Sequence, residues 1–233
     1  MKQPYIGNTK INKLYKGNEL WCNWSSGGGG ESGNNQYLIY SFTNFDVDNS
    51  IANKKIYSDN NNNVYLEIIG NATNLLLTKS SNGNLITNGT LKLNVECKEI
   101  IKDNFTIELT LRLINLNSIP KKIFFQCISA VKPFDGFKVM LINKNSLNLL
   151  SFVDNIDINK NETIKMNDVL KLKLTKGNNE LKLYKNDSLS INTTCKANWE
   201  NSKNLCIGAN ASNTDLVLGT YEFISLYIYN REV

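Results

Sequence analysis

Histidine is absent from this chain of 233 residues, proline occurs three times, and arginine occurs only as Arg112 and Arg231. Without imidazole there is no Ser-His-Asp or Cys-His nucleophile, no histidine metal ligand and no histidine acid–base group, so most hydrolase mechanisms are excluded at the outset. No run of 18 apolar residues occurs, which excludes a membrane-spanning helix. The opening Met1-Lys2-Gln3-Pro4-Tyr5 leads into no apolar stretch, and the chain reads as one made and assembled inside a cell. The five cysteines, Cys22, Cys97, Cys127, Cys195 and Cys206, are odd in number and contain no C-x-x-C pair. That spacing argues against a disulfide framework or a zinc site and predicts reduced, mostly buried thiols.

What the chain does have is an ordinary globular balance, 41% hydrophobic and 20% charged residues, with enough length to bury a core. Its net charge of +5 comes from scattered lysines. In Leu170-Lys171-Leu172-Lys173-Leu174 and Leu181-Lys182-Leu183 they alternate with leucine, the pattern of a solvated strand face that also discourages edge-to-edge aggregation. A nucleic-acid surface would gather Arg and Lys in a block with aromatics between them. Neither nucleic-acid binding nor membrane insertion is expected. Asparagine is abundant, at 39 residues.

Composition divides the chain into three segments. Residues 1–22 repeat a short unit, Tyr5-Ile6-Gly7-Asn8-Thr9-Lys10-Ile11 and then Tyr15-Lys16-Gly17-Asn18-Glu19-Leu20. Each Gly-Asn pair suits a tight turn between short extended stretches. Two such units cannot bury a core, so this arm is expected to pack on something else. Residues 23–36 are rich in Gly and Ser and read as a flexible linker, because ordering Gly backbone is entropically costly.

Residues 37–233 are strand-like runs punctuated by Asn, Gly, Asp and Ser. Phe105, Ile107, Leu109, Leu111 and Leu113 alternate with Thr106, Glu108, Thr110 and Arg112, a period of two. About a dozen such strands, and no stretch with helical spacing over three turns, predict an all-β, two-sheet antiparallel sandwich. Under the same period Tyr221, Phe223, Tyr227 and Tyr229 share one face of the last strand, which reads as core or interface.

The order of these runs resembles the laminin-G-like branch of the concanavalin A-like jelly rolls. The resemblance rests on Leu38-Ile39-Tyr40-Ser41-Phe42 with Ser58-Asp59-Asn60 near the start, and on Gly89–Leu93 followed by Phe105–Leu113. At the end it rests on Leu205–Asn210 and Gly219–Arg231. The tandem Y-x-G-N unit is similar to the openings of tailed-phage structural proteins. Together these imply a non-enzymatic bacteriophage virion protein, a capsid decoration, head fibre or tail appendage assembled in the host cytoplasm. Its partners would be other virion proteins, and its lectin-like domain would touch host or mucosal glycans or cement neighbouring subunits. Trimeric display is common for such appendages. Two rivals stay open: a bacterial surface or secreted carbohydrate-binding module, and a glycan-active enzyme with an unrecognised site. Glucanases of the resembled fold set two glutamates on one strand as E-x-D-x-E or E-x-D-x-x-E, and that triplet does not occur here. No catalytic residue is therefore assigned, and no cofactor is expected.

Three sets of site residues follow. Tyr5, Ile6, Leu14, Tyr15, Leu20, Trp21 and Trp24 form the docking set, since two tryptophans in a segment without its own core suggest anchors on a partner; packing back on the sandwich is the alternative for the tryptophans. Trp199, in a polar loop with Asn198, Glu200 and Asn201, is the candidate sugar platform, against the alternative that it caps the core. Asp154 and Asp157 could supply oxygen ligands to calcium, although Asp and Asn in a turn also explain themselves.

Overall fold

The computed structural model describes residues 5–6, 9–10, 13–16 and 19–23. From Tyr37 onward it describes all except 44–53, 71–74, 102–103, 116–120, 129–134, 143–145, 198, 200, 201, 203, 209–218 and 231–233. The chain divides into two compact units, Met1–Asn35 and Gln36–Val233.

The first unit holds two small antiparallel pairs. Strand β1 (Tyr5–Ile6) pairs with β2 (Thr9–Lys10), setting Ile6 opposite Thr9. Strand β3 (Lys13–Lys16) pairs with β4 (Glu19–Asn23), setting Lys16 opposite Glu19. Each repeat of the sequence is thus one hairpin, with a Gly-Asn pair as the two residues between its strands.

The second unit is an antiparallel two-sheet sandwich of the expected class. One eight-stranded sheet runs, edge to edge, through β15 (Ile156–Asn161), β14 (Ser146–Ser151), β13 (Gly136–Ile142), β12 (Lys121–Ile128) and β19 (Asn204–Ile207). It continues through β10 (Thr90–Glu96) and β7 (Asn61–Ile69) to β6 (Lys55–Ser58). The other runs through β18 (Ser188–Thr194), β17 (Glu180–Lys185), β16 (Val169–Gly177), β11 (Phe105–Asn115), β20 (Thr220–Tyr229), β9 (Leu85–Thr87) and β8 (Leu77–Lys79). Strand β5 (Tyr37–Ser41) also pairs with β20. Among the described residues the sole helix is one turn, α1 (Cys97–Ile100), and no helix is long and apolar enough to cross a membrane.

Alternation explains why these strands form two layers. Phe105, Ile107, Leu109, Leu111 and Leu113 of β11 all point into the core, as do Leu170, Leu172 and Leu174 of β16. From the facing sheet come Leu66, Leu91, Phe125, Val139 and Leu149. Each such side chain contributes about 1.5–3 kcal/mol by leaving water. On β20 the period breaks. A bulge beside Thr110/Leu111 inserts an extra residue, so Tyr221 and Phe223 point inward before it and Leu226 and Ile228 after it. Tyr227 and Tyr229 therefore face outward, half-buried, correcting the single-face reading.

Two further features fasten the strands. The turn Ser58-Asp59-Asn60 caps β5 with side chains. Asn60 Oδ1 accepts from Ile39 N–H at 3.1 Å and Asp59 Oδ2 from Ser41 N–H at 2.8 Å, while Ser58 Oγ donates to the Ile39 carbonyl. A strand edge left open is a pairing hazard, and this turn occupies it. Burial raises the Asp59 carboxyl above its ordinary range, opposed by the Ser41 hydrogen bond. The second feature is a disulfide between Cys97 and Cys127, which corrects the expectation of reduced thiols for this pair, while Cys195 and Cys206 are free and buried as expected. The partners are 30 residues apart in sequence, so no short motif announces them. Closing a loop of that length removes unfolded-chain entropy equivalent to about 3–4 kcal/mol.

Candidate functional site

Trp199 is 2% exposed, so its ring faces are closed to a sugar. The indole lies 4.8 Å from Phe137 and 5.6 Å from Phe105, centroid to centroid, and its Nε1–H donates to Ser151 Oγ at 3.2 Å. Burying a large aromatic whose single polar group finds an acceptor outweighs a left-handed backbone at φ 50°. Trp199 caps the core, and the platform expectation is corrected. Its expected companions Asn198, Glu200 and Asn201 lie outside the described residues.

Asp154 and Asp157, the expected calcium ligands, are each engaged by other groups of the chain. Asp154 Oδ2 accepts from Ala197 N–H at 3.0 Å and the same carboxylate holds the Cys195 thiol. Asp157, an element of β15 and not of a turn, accepts from Asn148 Nδ2 at 2.7 Å. The two carboxylates thus serve different partners, and no three His, Cys, Asp or Glu side chains gather among the described residues. Burial, then the Asp154 hydrogen bond, pushes the Cys195 thiol up to about 12, and burial pushes Cys206 up to about 11. Neither buried thiol is a nucleophile at neutral pH. Of the docking set, Tyr5, Ile6, Leu14, Tyr15, Leu20 and Trp21 fall within β1, β3 and β4, with side chains outside the description, and Trp24 lies outside the described residues altogether.

The outer face of the β6–β15 sheet carries an exposed aromatic group. Strand pairing sets Tyr57 opposite Tyr65 and Lys55 opposite Glu67 at its β6 edge. The two rings meet edge-on, 5.5 Å apart at 61°, and Lys55 Nζ sits 4.5 Å over the Tyr65 ring. Tyr57 remains 51% exposed. Tyr65 is held from beneath by Asn94, whose Oδ1 accepts the Tyr65 N–H at 2.8 Å while its Nδ2 donates to the Asn63 carbonyl. The amide replaces the backbone ladder just where the β7–β10 register ends. The result is an aromatic ring braced on one side and open to water on the other.

Toward the opposite edge the same face becomes amide-lined. Asn148 is as buried as the core although it points outward, and its Nδ2 donates to Asp157 Oδ1 at 2.7 Å and Asn159 Oδ1 at 3.0 Å. Asp157 and Asn159 themselves are exposed. Sugar rings stack their C–H faces on tyrosine, and their hydroxyls exchange hydrogen bonds with amides and carboxylates held in place beforehand. Apart from Asp157, none of these residues stood out in the sequence. The available signal was parity, since Lys55 and Tyr57, like Tyr65 and Glu67, fall on the outward phase of adjacent short strands.

No family model and no curated protein matches the chain. Solved structures do share its architecture. Trypanosoma rangeli sialidase in complex with 2,3-difluoro-KDN superposes with a TM-score of 0.62 at 11% identity, over 84% of this chain and 30% of that one. The binding domain of botulinum neurotoxin DC in complex with rat synaptotagmin II gives 0.55 at 15%, over 84% and 48%. The same domain in complex with SialylT gives 0.53 at 16%, over 79% and 50%. The chain spans under a third of the sialidase and about half of the toxin binding domain. At these identities the likeness is one of fold: the second unit is an antiparallel β-sandwich of the kind these larger proteins also contain.

Proposed function

We propose that this chain is a non-enzymatic binding module of a bacteriophage particle, which docks on other virion proteins by its N-terminal hairpins and offers the outer face of the β6–β15 sheet to a glycan. The observation that carries the glycan reading is the half-exposed Tyr57, braced by Tyr65 and flanked by Lys55. A rigid aromatic with one open face is a sugar platform, and holding it ready lowers the ordering cost of binding. That a toxin binding domain of the same fold is solved with SialylT supports the reading. Titration of the full chain against sialylated and neutral oligosaccharides tests it. Tyr57→Ala is expected to weaken binding at least tenfold with no change in unfolding temperature, because the sugar-to-ring stack is lost with the ring. Equal affinity of wild type and variant, or binding of no oligosaccharide, defeats it.

The virion role is supported by the paired Y-x-G-N hairpins and their similarity to phage structural openings. The Cys97–Cys127 bridge favours a second reading, an exported carbohydrate-binding module, because disulfides persist in oxidising surroundings. Electron cryo-microscopy of particles from the same source separates the two. Density at capsid or tail positions, with residues 1–22 seated between shell or tail subunits, is expected. Absence from every particle overturns the virion reading and leaves the exported module.

A further inference from the structure

The outer face of the other sheet carries a pattern that the glycan reading does not use. Cross-strand partners place Leu189, Tyr184, Lys173, Glu108, Tyr227 and Ile39 in one row over β18, β17, β16, β11, β20 and β5. From either end the row reads apolar, tyrosine, charge, opposite charge, tyrosine, apolar. Its midpoint falls between β16 and β11. Lys173 Nζ lies 4.9 Å over the Tyr184 ring, and the Tyr227 and Tyr229 rings stack at 6.3 Å with 7° between their planes. Leu189 is 53% exposed, an apolar side chain on an edge strand, where water contact and stray pairing both cost stability.

We infer that this face packs on the same face of a second copy, about a two-fold axis that lies in the interface, parallel to the strands, between β16 and β11. A two-fold interface must be self-complementary, each residue meeting the residue that its own partner meets in return. This axis lays Lys173 on the partner's Glu108 and Glu108 on the partner's Lys173. Tyr184 meets the partner's Tyr227, and Leu189 meets the partner's Ile39. The next row obeys the same rule. Lys182, Thr175, Thr106 and Tyr229 are cross-strand neighbours, so Lys182 lies over the partner's Tyr229, while Thr175 and Thr106 are already buried within each copy and add no contact.

An axis perpendicular to the strands would instead set Lys173 on Lys173 and Glu108 on Glu108, and like charges facing each other exclude it. Six strands at about 4.8 Å and five residues at about 3.3 Å give a footprint near 500 Å² per copy. The total of about 1,000 Å² is at the lower bound for a specific interface, so the dimer is a concentration-dependent one. The β6–β15 face stays open in both copies.

The test is sedimentation velocity of the full chain over a concentration series to about 100 μM. Wild type is expected to pass from monomer to dimer. Lys173→Glu and Glu108→Lys alone each set like charge on like charge, and each is expected to weaken the dimer at least tenfold. An equimolar mixture of the two variants restores opposite charges at both contacts, and dimer is expected to return. Leu189→Asp serves where a charge variant fails to fold, and must itself weaken the dimer about tenfold. A wild type that stays monomeric, a folded single variant that dimerises like wild type, or a mixture that stays monomeric overturns the inference.

Discussion

The two sheets share one core and finish their outer faces differently. On the β6–β15 sheet, outward amides donate and accept within the layer. Asn148 sinks to core-like burial with its amide hydrogens given to Asp157 and Asn159, and Asn94 patches the gap between β7 and β10. On the β18–β8 sheet the central outward row stays half in water, and its charges alternate across the strands. A face whose polar groups are held by each other presents a stiff floor on which hydroxyls can be read. The other face also pairs charges within its layer, Lys171 with Glu108 and Asp187 and Lys182 with Glu180, and its central row carries the charge order that the inferred dimer uses. The two proposals can hold together in one sandwich because alternation makes its two outer faces independent of the shared core.

The strongest way to break that contrast is to remove what both faces rest on. Trp199 packs against Phe105 of one sheet and Phe137 of the other. Trp199→Ala leaves a cavity at that junction and an orphaned acceptor on Ser151, and is expected to cost about 3–5 kcal/mol. Urea unfolding followed by tryptophan-independent circular dichroism checks it. The glycan face and the dimer face should fail together in this variant. A loss below about 1 kcal/mol would mean that Trp199 is peripheral to both.

How much of this was legible in the sequence depends on how local the cause was. The strands around Leu109 and Leu172 could be read because period two is written within each of them. The Gly-Asn hairpins could be read for the same reason. The sidedness of Tyr227 could not, because the bulge on β20 depends on what β11 sets beside it. Trp199 sits in a loop, and nothing in Lys196–Ser202 tells whether the ring turns in or out until Phe137 and Ser151 are seen to receive it. The Cys97–Cys127 bridge joins the end of β10 to β12, two strands brought together by β19 from far along the chain. The Tyr57–Tyr65 platform needed the pairing of β6, a strand of four residues, too short to show a period.

The smallest expected effect concerns the seam where the two sheets meet at their β15 and β18 edges. Glu162, just past β15, accepts from Lys185 Nζ of β17 at 2.6 Å and from Ser190 Oγ of β18 at 2.9 Å. The Lys185 hydrogen bond first, with Ser190 and the lysine charges helping and partial burial opposing, holds the Glu162 carboxyl below its ordinary range. A carboxylate whose pKa is lower in the folded state adds stability above its unfolded pKa, and that stability is lost as pH falls through the folded value. Wild type should therefore lose stability on acidification below about pH 4.5 more steeply than Glu162→Gln. Asp59, raised by burial, pulls the slope the other way in both proteins and drops out of their difference. Because Glu162 is part-exposed and its ion pair is screened by solvent, the two proteins should differ near neutrality by under about 1 kcal/mol. Thermal unfolding of both from pH 7 to 3 measures the difference. Parallel curves would show that the sheets are joined at this seam by β15 and β18 packing alone, so that neither outer face feels acid through the Glu162 clasp.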